Sequence, residues 1–452
     1  MSRPAAGILP AVVLVLALAA GPAAAYWQPI QQLTDATDNC NFPAIGRGLA
    51  VRDSFAHIVY ANRMSEQWRL FYLRSTDRGE SWDAPVMLDD ALEGFTFSVA
   101  ADGAGGVHFI NRRPGGVLRY RRSTDNGASW LSPVTFSGGC ETPLLLTDDD
   151  RHIYVIDIAG SLDAGLYLRR STDGGENWGS PRLVASQSGF SGLCAAATPG
   201  GRIHVAWGYG PSGESHVYHV RSTDRGESWA QVQRVSTTSR VMPWSIWTGA
   251  GDEVLLAFTR YQGPQNFRRS SDAGRNWSSE TTLAVLLSAC VADTFEGIHA
   301  LGVKDETRVL YLRSASRGAR WTGAVDITGP EPGTRSRPQL AIDERADLYA
   351  AWNSRQTGQV QVYLRRGVGM GGAAEPGQRR THYPPRLHPN PVRFSVHLDG
   401  AARARLYDRR GAEVARLGPG VNDLSRFPDG VYFAVLEPGP AAGPVKLVKT
   451  SR

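Results

Sequence analysis

The chain has 452 residues, 50 of them Gly and 27 Pro, with a formal net charge of +6. That length allows about two or three domains, and the Gly and Pro content suits many short strands joined by turns. The basic residues are nearly all Arg and form no Lys/Arg block, which excludes a nucleic-acid patch.

At the N-terminus, Arg3 precedes an apolar run from Ile8 to Ala20, followed by Gly21-Pro22-Ala23-Ala24-Ala25. A positive start, a short apolar stretch and an A-x-A-like site read as a signal peptide over 1–25. The run is shorter than the about 20 apolar residues that cross a bilayer. Export is therefore expected, with no membrane span once the signal is removed. The four cysteines, Cys40, Cys140, Cys194 and Cys290, lack the C-x-x-C spacing of a zinc site. Export permits disulfides; three pairings are possible, and buried free thiols are the alternative.

Internal repetition dominates residues 26–366. Ser75-Thr76-Asp77-Arg78-Gly79-Glu80-Ser81-Trp82 recurs at Ser123–Trp130, Ser171–Trp178, Ser222–Trp229 and Ser270–Trp277, and a decayed copy runs from Ser314 to Trp321 with Ser316 in place of Asp. The period of about 48 residues is that of a propeller blade. An Asp carboxylate accepts hydrogen bonds from its own turn, Gly79 and its equivalents give backbone freedom, and the Trp forms an apolar plate under the hairpin. Asp77, Asp125, Asp173, Asp224 and Asp272 are accordingly read as structural turn-formers. The S-x-D-x-G-x-x-W pattern resembles the Asp-box, or BNR repeat, of sialidases and several other propeller families.

Each repeat carries short apolar runs separated by Gly, Asp and Pro, which are strand and turn signals. Four antiparallel strands make one blade, so the fold class is all-β, a β-propeller of four-stranded blades. Second strands begin near Ile58, Val107, Ile153, Ile203, Val254, Ile298 and Leu348, giving seven units. The seventh stops after Val362-Tyr363-Leu364-Arg365, and Tyr26-Trp27-Gln28-Pro29-Ile30 resembles the missing fourth strand. The N-terminus is expected to close the last blade. Sialidases resemble six-bladed wheels, so six blades is the alternative.

Residues 367–386 are rich in Gly and Pro and read as a linker. Over 387–452 a compact β module carries His388-Pro389-Asn390-Pro391, Arg405–Gly411, Phe427-Pro428-Asp429-Gly430-Val431-Tyr432 and Val445–Lys449. It resembles the type A C-terminal sorting domain of the type IX secretion system, which implies that machinery as a partner and delivery to the cell surface or medium. The plainer alternative is an ordinary immunoglobulin-like β-sandwich.

Chemistry is expected on the face opposite the Asp-boxes, in the loops after each second strand and entering each first strand. Arg63, Arg112, Arg113, Tyr209, Trp244, Arg260, Tyr261, Arg335 and Arg337 are the candidate ligand-binding residues there, since guanidinium forks bind carboxylates and rings stack on sugars. The opposing account is that these groups solvate a rim. Sialidases clamp a carboxylate with three Arg, the first in an Arg-Ile-Pro segment; the nearest segment here, Asn41-Phe42-Pro43-Ala44-Ile45, has no Arg in place. No Asp, Tyr or Glu matches a family motif, and Glu141, Asp157 and Glu214 are the remaining catalytic candidates. The glycine pattern at Gly103-Ala104-Gly105-Gly106 falls in a hairpin turn, so no nucleotide or other cofactor is expected. Asp148-Asp149-Asp150 could ligate calcium, a solvated turn being the simpler account, and no metal is assigned. The chain thus reads as a monomeric, exported, sialidase-like propeller binding or hydrolysing a glycan or glycoconjugate. A non-catalytic adhesion or protein-binding propeller is the alternative.

Overall fold

The computed structural model describes residues 26–370 apart from 36–37, 44–46, 138–140, 149–150, 160–163, 187–188, 212–213, 250–251, 261–264, 284–285, 294–296, 306, 330–334 and 356–357. Further on it describes 387–388, 395–398, 403–408, 413–417, 420–423, 427, 430–437 and 445–449, and residues 283, 286, 335–337 and most of these later ones by backbone alone. The segment 1–25 expected to be a signal peptide and most of the expected linker lie outside these residues. Two compact units emerge, 1–373 and 374–452.

The first unit is a propeller of seven antiparallel sheets: five are four consecutive strands, blade one carries an extra short strand, and blade seven takes its outer strands from residues 26–32. The first strands, innermost, are Leu49–Arg52, Phe97–Ala101, Leu144–Thr147, Ser191–Ala197, Val241–Thr248, Leu286–Ala292 and Arg335–Ile342. Each contacts the next, and blade seven returns to blade one, so the ring is closed. Six blades is thereby ruled out in favour of seven. The second strands are buried on both faces because a neighbouring blade covers each side; Ile153–Ala159 is buried at every position but the last. Apolar clusters accordingly span blade interfaces. Val59, Leu70 and Leu88 of blade one meet Phe97, Val107 and Phe109 of blade two, and Ile110 and Leu118 meet Leu145 and Val155 of blade three.

The repeat turns tie the blades together. Trp130 lies edge-on to Tyr72 of the preceding blade, with ring centroids 5.0 Å apart, and Trp178 lies likewise on Tyr120 at 4.8 Å. The turn Trp is therefore a wedge between blades rather than a plate under its own hairpin. In several blades the Arg just before the turn's Ser reaches the backbone of the next blade's turn: Arg122 Nη1 donates to Gly174 O (3.1 Å), Arg170 Nη1 to Arg225 O (2.8 Å) and Arg221 Nη1 to Ala273 O (3.0 Å). Arg366 of blade seven pairs with Glu80 of blade one.

Close approach adds to the positive φ at the turn glycines of blades two to five. Gly127 has φ +79°, and a Cβ there would lie 1.7 Å from Tyr72 Oη. Gly127→Ala is expected to cost roughly 3–5 kcal/mol through strain and overlap, with partial recovery when Tyr72→Phe removes the hydroxyl. Paired thermal melts check this; an unchanged melt for the single variant refutes the packing.

Blade seven is completed by the N-terminus. Tyr26 and Trp27 pair with Val368 and Gly367, and Gln31 and Gln32 with Leu364 and Tyr363. The third strand of this blade, Gln361–Val368, runs past residue 366, and Met370 is buried beyond it. Cys40, Cys194 and Cys290 are free thiols, the first two buried; Cys140 lies outside the described residues.

The second unit has two antiparallel sheets. One joins Leu387–His388, Ser395–Leu398 and Gly420–Asp423; the other is ordered Glu413–Leu417, Arg403–Asp408, Gly430–Glu437, Val445–Lys449. Leu406 and Leu417 are buried.

Candidate functional site

Antiparallel order puts the first-to-second turns and the repeat turns on one face of the wheel. The hydrogen bonds agree: Arg78 N donates to Ser54 O (2.8 Å), Asn126 N to Gly105 O (2.9 Å) and Gly174 N to Arg151 O (2.9 Å). The opposite face, here the open face, carries the second-to-third turns and the loops between blades.

A cavity of about 720 Å³ runs along the propeller axis. The first strands of all seven blades line it, from Gly192, Trp244 and Ser288 at the open-face end to Pro199, Gly249 and Asp293 at the other. Most of the wall is apolar, including Leu49, Leu146, Ala195, Val291 and Leu340. Arg47 also lines it, just ahead of the first strand of blade one. Its side chain is exposed by surface yet set deep among protein atoms, because the open space it faces is the channel. Burial lowers its pKa, with Cys194 as the opposing neighbour; starting so high, an arginine stays charged. Burial pushes the Cys194 thiol up, so that neighbour is neutral.

The open-face ends of four successive first strands are irregular. Register shifts fall between Ser191 and Leu193, Pro243 and Ser245, Leu287 and Ala289, and Ser336 and Gln339. An extra residue in one strand re-aims a side chain, and such bulges gather beside functional sites. Here they set Gly192, Trp244, Ser288 and Pro338 around the channel mouth. Trp244, the extra residue of blade five, is 47% exposed.

The sequence candidates divide into groups. Arg63 is exposed but paired with Glu66, Arg112 with Glu93 (3.4 Å), and Arg113 with Asp90 (3.1 Å) and Asp89 (3.7 Å). Around blades four and five, Tyr209 lies edge-on to Tyr218, Arg260 Nη2 donates to Ser239 O (3.5 Å), and Glu214 is exposed on its turn. Ser215 O, next to Glu214, accepts from Val241 N (3.2 Å), which joins that turn to the strand bearing Trp244. Glu141 and Asp157 meet in blade three: Glu141 N donates to Ile158 O (2.8 Å), and Thr142 N to Asp157 Oδ1 (3.1 Å). Glu141 is exposed and Asp157 buried. Arg335 and Arg337 lie on the irregular strand of blade seven; their side chains, and Tyr261 altogether, are outside the described residues.

The repeat Asp residues sit on the other face, committed to their own turns. Asp224 accepts from Ser222 Oγ (2.7 Å), Ser228 N (2.9 Å) and Ser228 Oγ (2.5 Å). Hydrogen bonds from the Ser228 hydroxyl and amide hold its carboxyl down to about 2. Asp148, read as a possible calcium ligand, accepts from His152 N (3.0 Å), Tyr154 Oη (2.9 Å) and Arg225 Nε (3.1 Å). Asp149 and Asp150 are outside the described residues, and no group of three or more His, Cys, Asp or Glu among the described residues could hold a metal.

Sequence reading passed over Arg47 and the bulges. The available signal was Pro243 and Pro338 inside runs that read as central strands, where proline marks a bulge.

No family model matches the chain, and no curated protein matches it. Among solved structures it is similar to the polysaccharide lyase Uly1, with a TM-score of 0.52 and 11% identity over 73% of this chain and 91% of that one. An ulvan lyase of family PL25, bound to -[GlcA(1-4)Rha3S]-, gives a TM-score of 0.51 and 13% identity over 74% and 95%. At such identities the likeness carries the fold alone, a β-propeller.

Proposed function

We propose that the chain is an exported, sialidase-like propeller that binds or hydrolyses glycans on the face opposite its Asp-boxes. In this reading 1–25 is its signal peptide and 387–452 its type IX sorting domain. The observation that carries it is the run of bulges in blades four to seven, which turns Trp244 outward at the mouth of a channel. A half-exposed indole is a platform for the apolar face of a sugar ring. Tyr209, Arg260 and Glu214 supply polar groups on the adjoining rim. The two fold neighbours described above are polysaccharide lyases, which supports a glycan as ligand.

Hydrolysis needs two carboxyl groups roughly 5–10 Å apart across the substrate, and Glu141, Asp157 and Glu214 are the candidates. A binding propeller without catalysis is the second reading. The ion pairs of Arg63, Arg112 and Arg113 favour it, since they occupy guanidinium groups that a carboxylate clamp would use.

The test is a glycan array followed by turnover assays on sialosides, neutral glycosides and polyuronates, with Trp244→Ala as the variant. Loss of a central aromatic anchor costs about 2 kcal/mol or more, so binding should weaken at least about thirtyfold with the melt unchanged. Turnover lost in Glu141→Gln, Asp157→Asn or Glu214→Gln would establish an enzyme. Equal binding by Trp244→Ala would remove the site from this face.

A further inference from the structure

We propose that the axial channel is a second site, adjoining the glycan rim at Trp244, which takes an amphiphilic carboxylate: the acid group on Arg47 at the mouth and an apolar tail down the channel. Three observations lead there. The cavity, about 720 Å³, is within the range of about 300–1,000 Å³ that small-molecule sites occupy, and such sites are apolar with a few placed polar groups.

The second is the wall. Leu49, Leu146, Ala195, Ile246, Val291 and Leu340 line it, from six blades. Sugar hydroxyls would find few partners along that surface, and leaving them unpaired is costly. An alkyl chain loses only its contact with water there, which is favourable. The innermost strand of blade four, Ser191–Ala197, has seven residues and so spans roughly 23 Å. A medium-chain tail fits that depth.

The third is the charge. No carboxylate among the described residues pairs with the Arg47 guanidinium, although the arginines of the rim and of the blade interfaces have partners. Its backbone is engaged, with Arg47 O accepting from Val99 N (2.8 Å) and Arg47 N donating to Ser98 Oγ (3.4 Å). The neutral Cys194 thiol cannot balance the charge. Asp293, the acid at the far end, is held by Gly297 N (2.7 Å) and His299 Nε2 (3.1 Å). A carboxylate matches the planar guanidinium with two parallel hydrogen bonds, and this pairing strengthens where water is scarce.

Isothermal titration of the full chain with decanoate, decanol and glucuronate decides the matter. Decanoate should bind and raise the melting temperature with concentration, as any ligand of the folded state must. Decanol and glucuronate should each bind at least tenfold more weakly, one lacking the anion and the other the tail. Arg47→Leu should weaken decanoate about ten- to hundredfold and leave decanol unchanged, whereas Arg47→Lys should recover part of the loss. The rim variant Glu214→Gln lies outside the channel lining, so its decanoate binding should stay within a few fold of the parent. The proposal is overturned by no melting shift with decanoate, by equal binding of decanoate and decanol, by equal binding of glucuronate, or by unaltered decanoate affinity in a folded Arg47→Leu.

Discussion

Removal of residues 26–34 is expected to lower the melting temperature by roughly 10 °C or more. The segment supplies the outer strand of blade seven, and its loss strips the ladder along Gln361–Val368 and leaves that strand as an open edge. Trp27 packs edge-on to Tyr311 of blade six at 5.2 Å, and truncating such a residue costs about 3–5 kcal/mol where it is buried. Thr34 Oγ1 donates to Gln361 Oε1 (2.7 Å) and accepts from Val362 N (3.1 Å), joining positions 328 apart in the chain. At a few degrees per kcal/mol in a domain of this class, these losses together give the predicted shift. The point variant Thr34→Val removes both of its bonds while keeping its volume, and should cost about 2–3 kcal/mol. A deletion that melts with the parent would mean that three strands suffice for blade seven.

This closure was legible in the sequence because it is a matter of counting: Val362-Tyr363-Leu364-Arg365 ends a unit one strand short, and Tyr26-Trp27 supplies the remainder. The seven blades were legible for the same reason, each being announced by a second strand and most by a repeat turn. The site was less so. A bulge is a mismatch of register between two strands, so the residues around Trp244 look like any strand interrupted by Pro243. The rim arginines were visible, but their pairing was not: Glu93, Asp89 and Asp90 reach Arg112 and Arg113 only once the loop between blades one and two has folded. Arg47 carries no motif at all. Its isolation depends on the strands of six other blades surrounding it, and no local pattern encodes that.

Acid should unfold the propeller across a window set by histidine rather than by carboxylates. His57 is buried in blade one with Nδ1 on Tyr72 Oη (2.7 Å) and no partner on Nε2. Burial, and then the charge of Arg74, push its pKa down to about 3. In blade four His204 Nδ1 lies 3.1 Å from His219 Nε2; burial and Arg202 bring His204 down to about 4, and burial and His204 bring His219 well below its ordinary value. In the unfolded chain all three titrate near 6.5. The unfolded state therefore binds more protons below that pH, and the stability these residues allow is complete above about 6.5 and lost as pH falls towards their folded values. Each neutral buried histidine lowers stability by about 1.4 kcal/mol per pH unit within the window. Between pH 6 and 4.5, two of them give a loss on the order of 4 kcal/mol. Asp102, held at about 2 against the desolvation of its own burial by hydrogen bonds from His108 and the Gly106 and Ala104 amides, adds its loss only at lower pH. Blade five shows how to remove one proton without dismantling the interface. At the positions of His57 and Tyr72 it has Leu255 and Phe267, and Phe267 meets Trp321 edge-on as Tyr72 meets Trp130. The double variant His57→Leu/Tyr72→Phe should match the parent at pH 7.5 and lose stability less steeply below 6.5, by one proton's worth of slope. Urea midpoints measured from pH 7.5 to 4.5 read both curves, and a parent curve that stays flat through that range would contradict the burial of neutral histidine.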